Sequence, residues 1–478
     1  MRVLRIGCMF GGFLSLILSM HAQTLTTLYR FQNTDGAQSD NSLIQATDGN
    51  LYGTTDADGA YSRGTIFKIT PSGMLTTLYD FCSRKECTDG SLPGALVEGT
   101  DGNFYGTAAN GGKFGGGTVF KIAKSGKPKT LYNFCSQSGC TDGSTPYAAL
   151  VQGTDGDFYG AAASGGTSNG GTIFKITKNG SLTTLYNFCS QVGCTDGESP
   201  YAALIQATDG NFYGTTFTGG GPGYGTAFKI TPAGTLTTLY SFCLQVGCTD
   251  GALPVAGLIQ ATDGNLYGTT SAGASGTTNA GTVFKITPSG TLTTLYNFVN
   301  DGGGTVPVAG LVQGTDGNLY GAAATGGADE SGTLFKITTS GTLTTLYNFC
   351  SQFQGGICTD GEFPSASLVQ DTNGNFYGTT QNGGSVYSAG TVFSLSMGLG
   401  PFVATLPTSG QVTTAVKILG TDLTGATSVT FDGTEASFKV MSDSEITTKV
   451  PKGAITGPVQ VVTPGGKLTS NVNFRVTP

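Results

Sequence analysis

The sequence repeats one unit of roughly fifty residues seven times between Thr24 and Met397, and this repetition restricts the possible folds more than any other feature. A Thr-Leu-Tyr triplet marks every copy. Its leucines are Leu28, Leu78, Leu131, Leu185, Leu239, Leu295 and Leu346. A period of this size indicates one supersecondary unit that is copied into a stacked or closed array.

Each copy contains the signals of four short strands. In the fourth copy the apolar run 202–206 is followed by Asp209-Gly210-Asn211 and then by the strand-like run 212–216. An Asp-Gly pair between two apolar runs is a strong hairpin signal, because glycine accepts a positive φ without steric cost. The runs 226–231 and 235–242 follow, separated by Pro232-Ala233-Gly234. Thr, Gly and Tyr dominate these segments and favour strands and turns over helices, so we name the predicted strands a to d in chain order.

The two ends of the array complement each other. Residues 24–31 form a lone d-type strand, whereas residues 366–395 supply a, b and c without a following d. Either fragment alone would leave sheet edges unpaired. The sequence therefore predicts an all-β chain, with residues 24–397 forming a seven-bladed β-propeller closed by the N-terminal strand. A β-solenoid is the main alternative, although it would need distinct capping units.

Residues 1–23 have the pattern of a secretory signal peptide. Arg2 and Arg5 precede an apolar stretch at 10–18, and a cleavage site is expected near Ala22. No later segment is long and apolar enough to suggest a membrane-spanning helix. We therefore expect a secreted or cell-surface protein that does not insert into the membrane.

Cysteine usage agrees with export. One of the 11 cysteines lies in the predicted signal peptide, and the other ten form close pairs in the loop that joins strand d to the next strand a. Local disulfides fit this pattern. Zinc binding is the competing interpretation, but zinc sites usually collect four ligands, and these pairs would lie far apart around a ring. The predicted disulfides are Cys82–Cys87, Cys135–Cys140, Cys189–Cys194, Cys243–Cys248 and Cys350–Cys358.

The repeat stops after Met397, and residues 401–478 form a separate region with short alternating runs typical of a small β-sandwich. Its motifs include Leu406-Pro407-Thr408-Ser409-Gly410, the run 425–431 and Thr463-Pro464-Gly465-Gly466. On these motifs the tail resembles the IPT/TIG domain, and the resemblance implies an immunoglobulin-like fold. Thr413-Thr414 stands where that family often has a glycine.

The repeats also resemble a known family. Asp-Gly-Asn-Phe-Tyr-Gly-Thr-Thr, Gly-Gly and Gly-Thr-Val-Phe-Lys-Ile recur through the copies and are similar to the bacterial tandem repeat called GloVer. The resemblance implies an exported bacterial protein, often tethered to the envelope, with no agreed activity.

Several chemistries are excluded by composition. The chain has one histidine, His21, which lies in the predicted signal peptide, so the remainder lacks the base of Ser-His or Cys-His catalysis. Its Gly-rich runs lie between strands, without the helix that a phosphate or dinucleotide site requires. A formal net charge of −7 makes nucleic acid an improbable partner. We predict no catalytic residue, no cofactor and no metal.

Carboxylates are the remaining candidates. An Asp-Gly pair recurs in every loop from d to a, where aspartate is first of all a turn former. Five of these aspartates and one glutamate near the predicted axis are possible ligand-loop residues: Asp89, Asp142, Asp196, Asp250, Asp360 and Glu98. Four other acids also stand where sister copies carry neutral residues, and we interpret most of them as solvated surface charge: Asp56, Asp58, Asp329 and Glu330.

The sequence therefore favours an exported, non-catalytic binding or scaffold protein, expected to be a monomer, whose ligand is an extracellular polysaccharide or protein. The alternative is a secreted carbohydrate-active enzyme, a glycosidase or lyase, with paired carboxylates on the propeller face. A purely structural envelope component is a third possibility. Two dissimilar acids that meet in a cleft would favour the enzyme, and shallow loops would favour the binder.

Overall fold

The computed structural model describes residues 23–274, 280–299 and 303–477, and it is all-β. Within these ranges helical structure is limited to four three-residue 3-10 turns, all in the cysteine-bearing loops: Lys85–Cys87, Ser138–Cys140, Val192–Cys194 and Val246–Cys248. Residues 1–22 of the predicted signal peptide and Asp301 lie outside the described residues.

The repeat region contains strands β1 to β31. In chain order they are β1 Thr24–Arg30, β2 Ile44–Gln45, β3 Leu51–Thr55, β4 Thr65–Ile69, β5 Leu75–Asp80, β6 Ser91–Pro93, β7 Val97–Glu98, β8 Phe104–Asn110, β9 Thr118–Ile122, β10 Pro128–Asn133, β11 Val151–Gln152, β12 Phe158–Ala162, β13 Thr172–Ile176, β14 Leu182–Asn187, β15 Ile205–Gln206, β16 Phe212–Thr216, β17 Thr226–Ile230, β18 Leu236–Ser241, β19 Ile259–Gln260, β20 Leu266–Thr270, β21 Thr282–Ile286, β22 Leu292–Asn297, β23 Val312–Gln313, β24 Leu319–Ala323, β25 Thr333–Ile337, β26 Leu343–Asn348, β27 Phe353–Gln354, β28 Ile357–Cys358, β29 Val369–Gln370, β30 Phe376–Thr380 and β31 Thr391–Ser396.

These strands form antiparallel sheets that follow the repeat. Six sheets take their four strands from one copy in the order a, b, c, d, and the sheet of the second copy carries β6 as an additional strand on β8. A further sheet has the order β29, β30, β31, β1. Its outer pairing joins β1 to β31 antiparallel, with Thr24 opposite Ser396 and Arg30 opposite Thr391. The two ends of the repeat region therefore share one sheet.

The recurring Thr-Leu-Tyr triplet corresponds to a β-bulge. In the pair β13–β14, Ile173 lies opposite Tyr186 and Phe174 opposite Thr184, so Leu185 is the extra residue. Its carbonyl then faces Gly234 in the c-to-d turn of the next copy, where a Cβ would lie 2.7 Å from the Leu185 oxygen. The bulge thus explains both the triplet and the glycine that follows about one period later.

Apolar clusters join each sheet to its neighbour. Tyr105 of β8 stacks on Phe158 of β12 with ring centroids 4.0 Å apart, and Phe134 meets Phe174 edge to face at 5.2 Å. The sheet that contains β1 packs on the sheet β2 to β5 in the same way, with Phe31 against Phe67 at 5.3 Å. Such buried aromatic pairs supply most of the inter-sheet cohesion.

The turns between strands a and b are also linked from copy to copy. The side chain at the end of each strand a accepts a hydrogen bond from the backbone N–H of a threonine in the preceding copy, at 2.8 to 3.0 Å. The links are Glu98–Thr47, Gln152–Thr100, Gln206–Thr154, Gln260–Thr208, Gln313–Thr262, Gln370–Thr315 and Gln45–Thr372. The last of them connects the seventh copy with the first.

The tail is a two-sheet sandwich. Its strands are β32 Ala404–Leu406, β33 Ser409–Gly410, β34 Ala415–Leu419, β35 Ser428–Phe431, β36 Thr434–Glu435, β37 Phe438–Val440, β38 Glu445–Lys449, β39 Val459–Thr463, β40 Gly466–Thr469 and β41 Arg475–Val476. One sheet has the order β32, β34, β38, β37, and the other β36, β35, β39, β40. Val416, Ile418, Val429 and Val461 are among the buried residues between them. The predicted tail sandwich agrees with this architecture.

Because adjacent strands are antiparallel, every sheet has two ends. The loop end collects the d-to-a and b-to-c loops, and backbone bridges such as Ser144–Ser164 join these two kinds of loop. The turn end collects the a-to-b and c-to-d turns. The tail contacts the turn end: Phe402 N donates to Thr372 O at 3.0 Å, and Ser444 Oγ donates to Thr47 O at 3.2 Å. Within the described residues, these contacts of the tail are therefore at the turn end and not at the loop end.

Candidate functional site

A cavity of about 300 Å³ opens at the loop end, where the seven copies converge. We call it the axial cavity. It is lined mainly by the short segments that precede each strand a, and all seven copies contribute. The lining includes Asp40, Asn41, Ser42, Ala95, Tyr147, Ala149, Tyr201, Ala203, Val255, Gly257, Val308, Gly310, Ser365 and Ser367.

One wall of the axial cavity is polar because the first copy departs from the repeat. Asp40-Asn41-Ser42 occupies the place of Tyr147-Ala148-Ala149 in the third copy. Asp56, at the end of β3, likewise replaces Ala163. The buried carboxyl of Asp56 accepts hydrogen bonds from Asn41 Nδ2 at 2.8 Å and from Tyr147 Oη at 2.7 Å.

Asp40 forms the second half of this wall. Its carboxyl accepts hydrogen bonds from Ser365 Oγ at 2.7 Å and from Gln381 Nε2 at 3.1 Å. The charge of Asp40 acts on Asp56. Two acids of one copy are therefore held beside the cavity by donors from the third and seventh copies, and each acid has a different set of partners.

Burial shapes the electrostatics of this pair. Loss of solvent raises the pKa of Asp56 to about 7, with hydrogen bonds from Tyr147 and Asn41 opposing the rise and the charge of Asp40 adding to it. Burial also raises the pKa of Asp40, against the hydrogen bonds from Ser365 and Gln381. The pKa of Tyr147 is raised by burial and by the neighbouring Asp56, so this phenol stays a donor. Near neutral pH the Asp56 carboxyl is thus shared between its protonated and ionised forms.

Tyr147 reaches Asp56 because the intervening copy is shorter. Pro93 and Leu96 are separated by two residues, whereas Pro146 and Leu150 are separated by three. The shortened segment contains Gly94, and a Cβ at that position would lie 2.5 Å from the Tyr147 carbonyl oxygen. The missing residue and the glycine together make room for a contact that skips one copy.

The opposite wall is apolar. Tyr201, Val255 and Val308 occupy the positions that correspond to Asp40. Tyr201 is 38% exposed and packs edge to face on Phe217, with ring centroids 5.7 Å apart. The axial cavity therefore presents hydrogen-bonding groups on one side and an aromatic face on the other.

Exposed apolar side chains crowd the same end of the molecule. Among the described residues of the repeats, the large exposed hydrophobics lie at the loop end with the exception of Met74. They occupy the b-to-c loops and the d-to-a loops: Tyr61, Phe114, Tyr224, Val386, Tyr387, Val192, Leu244, Val246 and Phe353. The exposed apolar side chains of the described repeats thus lie mainly at one end of the sheets, the end that also holds the cavity.

The predicted ligand-loop aspartates do not meet one another. Each is buried within its own loop, as Asp196 illustrates: it accepts hydrogen bonds from Tyr186 Oη at 2.9 Å, Ser190 Oγ at 2.8 Å and Ser190 N at 3.0 Å. The same pattern holds for Asp89, Asp142, Asp250 and Asp360. These carboxylates anchor the Thr-Leu-Tyr tyrosine and the disulfide loop, so what each loop exposes is its tip.

Glu98 lies at the turn end, away from the cavity. Its carboxylate accepts hydrogen bonds from Thr47 N and Thr47 Oγ1, each at 2.8 Å, and pairs with Lys124 Nζ at 3.0 Å. It takes the place of the glutamine that links the other copies. Its charge is balanced by Lys124 and used within the fold.

The five predicted disulfides are present, and they fasten the d-to-a loops at the rim of the loop end. Disulfides are typical of proteins outside the cytoplasm. Cys350, Cys358 and Glu362 bring three metal-type ligand atoms together, but the two thiols form one of these disulfides. In the part of the chain that the structure describes, no helix has the length and apolarity needed to cross a membrane.

Sequence reasoning singled out Asp56 but interpreted it as surface charge, and it passed over Asp40, Asn41, Tyr147 and Gln381. A signal for them was available. Aligning the copies shows that the first copy replaces small or apolar residues by Asp40 and Asn41 at positions just before strand a. The partnership with Tyr147 spans 91 residues and could not be read from the alignment.

Comparisons with known proteins identify both regions. The family model described as the Gloeobacter/Verrucomicrobia repeat matches residues 14–204 and 190–393, and the IPT/TIG domain matches residues 402–476. The resemblances stated from the sequence are thereby confirmed. No curated protein matches the chain.

Solved structures are similar in fold. A fungal alcohol oxidase of the AA5 family, in complex with copper, has 11% sequence identity and a TM-score of 0.52, covering 95% of this chain and 99% of that chain. An aldose sugar dehydrogenase from Streptomyces coelicolor in its PQQ-bound form has 12% identity and a TM-score of 0.40, covering 78% of this chain and 98% of that chain. At these identities the first likeness shows a propeller-like fold and nothing about chemistry, and the second is too distant to support an argument.

Proposed function

Because this chain belongs to the Gloeobacter/Verrucomicrobia repeat family, we propose that it is an exported, non-catalytic binding or scaffold protein of the bacterial cell surface or extracellular space. Residues 1–23 would direct export and be removed. Residues 24–397 would form the binding body, and residues 401–478 a spacer or docking module. A monomer is expected, and its partner would be an extracellular polysaccharide or protein.

The proposed body is a seven-bladed β-propeller closed by its N-terminal strand. Pairing of β1 with β31, the link from Gln45 to Thr372 and the packing of Phe31 on Phe67 support closure. Each of these contacts between the last and first copies has a counterpart within the array. A stacked solenoid would leave its terminal copies without them.

The functional proposal depends on one observation: the described part of the tail contacts the turn end and not the irregular, partly apolar loop end. The tail contacts the turn end, whereas the axial cavity and the exposed tips of the loops that carry Asp89, Asp142, Asp196, Asp250 and Asp360 lie at the loop end. Val192 and Val246, at two of these tips, are each 98% exposed. A purely structural envelope component would not need exposed apolar loops, because exposed apolar surface lowers solubility.

Retention of the purified full chain on immobilised extracellular polysaccharides and on purified envelope proteins tests this proposal. The same incubation is assayed for new reducing ends and for peptide cleavage. Retention without product formation is expected. Retention by no polymer of either kind would contradict the proposal.

The carbohydrate-active enzyme stays as a second candidate because Asp40 lines the axial cavity and the charge of Asp40 acts on Asp56, which is buried behind Asn41 and Tyr147 in unlike surroundings. A glycosidase needs two such carboxyls across a scissile bond, one of them protonated. Against this role, all four oxygens of the pair accept hydrogen bonds from Asn41, Tyr147, Ser365 and Gln381. Release of new reducing ends, abolished by Asp56→Asn, would put the enzyme first.

A further inference from the structure

We infer that the axial cavity binds an uncharged, hydroxyl-rich sugar unit of an extracellular polysaccharide, with Asp40 and Asn41 engaging its hydroxyls and Tyr201 stacking on its ring. This inference rests on the proposed binding function and names its ligand. It depends on three properties of the cavity: its two unlike walls, its size and the rim around it.

The two walls match the two surfaces of a sugar ring. A pyranose carries hydroxyls at its edge and C–H groups on its faces. Asp40 and Asn41 line the cavity and offer acceptor oxygens. Ser365 and Gln381 orient the Asp40 carboxyl, and Asp56 and the Pro93 carbonyl orient the Asn41 amide. A carboxylate oxygen that accepts one hydrogen bond still has a lone pair for a ligand hydroxyl. Tyr201 supplies the aromatic face opposite.

The size of the cavity restricts what can enter. A volume of about 300 Å³ lies at the lower limit of small-molecule sites. The remaining lining is small, with Ala149, Ala203 and Gly257 around the axis. One terminal unit or a short branch can enter, whereas a folded protein element cannot.

The acidic side chains at the cavity also restrict the charge that a ligand sugar can carry. The two acids of the wall have no basic partner among their hydrogen-bond donors. An anionic sugar such as a uronic acid would place like charges together in a desolvated site, at a high energetic cost. An uncharged sugar avoids that repulsion, and its hydroxyls can donate to the Asp40 carboxyl.

The rim explains why the ligand would be a polymer. Tyr61, Phe114, Tyr224 and Tyr387 occupy the b-to-c loops of four different copies and are all exposed at the loop end, outside the residues that line the cavity. Their rings can stack on units that lie outside the cavity. Exposed aromatic side chains at the same end of the molecule as the cavity favour a chain over a free monosaccharide.

The test measures retention and affinity of the full chain for three soluble polysaccharides: a neutral β-glucan, alginate as the uronic-acid polymer and chitosan as the amino-sugar polymer. Tyr201→Ala and Asn41→Ala remove one wall each. Met74→Ala, at the turn end, is the matched control for loss of an exposed side chain. Unfolding midpoints of all variants are compared first, so that a loss of binding is scored only for folded protein.

The neutral glucan is expected to bind, and Tyr201→Ala and Asn41→Ala are each expected to weaken it about tenfold, the value of one good stacking or hydrogen-bonding contact. Met74→Ala should leave the affinity unchanged. Equal affinity of the two cavity variants and the wild-type chain for the glucan would overturn the cavity site while leaving the binding function intact. Binding of alginate or chitosan alone would overturn the choice of an uncharged sugar. Failure of all three polysaccharides to bind would overturn the choice of a polysaccharide ligand.

Discussion

Both ends of the repeat sheets are built from the same repeated unit, but the copies resemble one another more closely at the turn end than at the loop end. At the turn end, each copy repeats Thr, Gly and the linking side chain, and the same hydrogen bond recurs from copy to copy. At the loop end, the outer rim keeps the Tyr–Asp anchor, but the segments next to the axis diverge. The regular positions make contacts that join one copy to the next, and the divergent positions line the cavity.

A pair of aspartates shows the same contrast in electrostatic terms. Asp101 at a turn loses some solvent, which raises its pKa, but the hydrogen bonds from Lys121 and Asn103 outweigh this effect and lower the pKa to about 2. Asp56 at the axial cavity has no such cation, and its pKa rises to about 7. Aspartate thus has two roles: Asp101 forms stabilising hydrogen bonds at the turn end, and Asp56 is a titratable group at the loop end.

The largest expected effect concerns closure. Phe31→Ala should lower the free energy of unfolding by about 3–5 kcal/mol, because a fully buried ring is replaced by a cavity. Phe188→Ala, which removes the equivalent contact inside the array, is the matched variant. Urea unfolding should give similar losses for both. A much smaller loss for Phe31→Ala would indicate an open array.

The next effect concerns the anchor of the outer rim. Asp196→Ala should cost about 3 kcal/mol, because Tyr186, Ser190 and Gln191 would lose their buried acceptor. Asp209→Ala, at an exposed turn, should cost about 1 kcal/mol or less. Thermal and urea unfolding of the two variants would separate a structural aspartate from a turn former. Equal costs would remove that distinction.

Titration of Asp56 should appear in the pH dependence of stability. Since the pKa rises on folding, Asp56 favours the folded state below its unfolded pKa of 3.8, and this contribution is lost as pH rises toward about 7. The loss amounts to about 1.4 kcal/mol per pH unit within that window.

Asp56→Asn should remove that slope, measured as the difference from the wild-type chain in urea unfolding between pH 4 and 7. Asp329→Asn, at an exposed position in another b-to-c loop, should leave the slope unchanged. Parallel pH profiles for Asp56→Asn and the wild-type chain would show that the carboxyl is solvated after all.

The smallest expected effect again compares closure with the interior of the array. Gln45→Ala removes the link between the seventh and first copies, and Gln206→Ala removes the equivalent link between the third and fourth. Each should cost about 1 kcal/mol, the net value of an ordinary hydrogen bond. A measurable cost for Gln206→Ala with none for Gln45→Ala would show that the first and last copies do not meet.

The strands and disulfides of the repeats could be predicted because the same sequence pattern occurs seven times. The four-strand unit, the lone strand 24–31 beside the last copy and the five disulfides follow from repetition and spacing, and the structure has the corresponding elements. The position of the tail on the turn end was not predictable. It depends on side chains such as Ser444 and Phe402 that carry no periodic signal.

The axial cavity was harder to predict for a physical reason. Asp56 is unusual only in comparison with its sister residues, and its burial depends on Tyr147 crossing over the shortened second copy. The aspartates of the recurrent Asp-Gly loops were predicted as ligand residues because they repeat. In the structure they repeat because each accepts a hydrogen bond from the tyrosine that precedes its loop. In a repeat protein, departures from the consensus near the axis are the better guide to a site.

The most direct test of the account is hydrogen–deuterium exchange of the full chain with and without the neutral β-glucan at saturating concentration. The account predicts slower exchange in segments 37–43 and 199–203 at the loop end, with no change in segments 45–50 and 401–477. Protection confined to the turn end or the tail would contradict the claim that the irregular end of the ring is its binding surface.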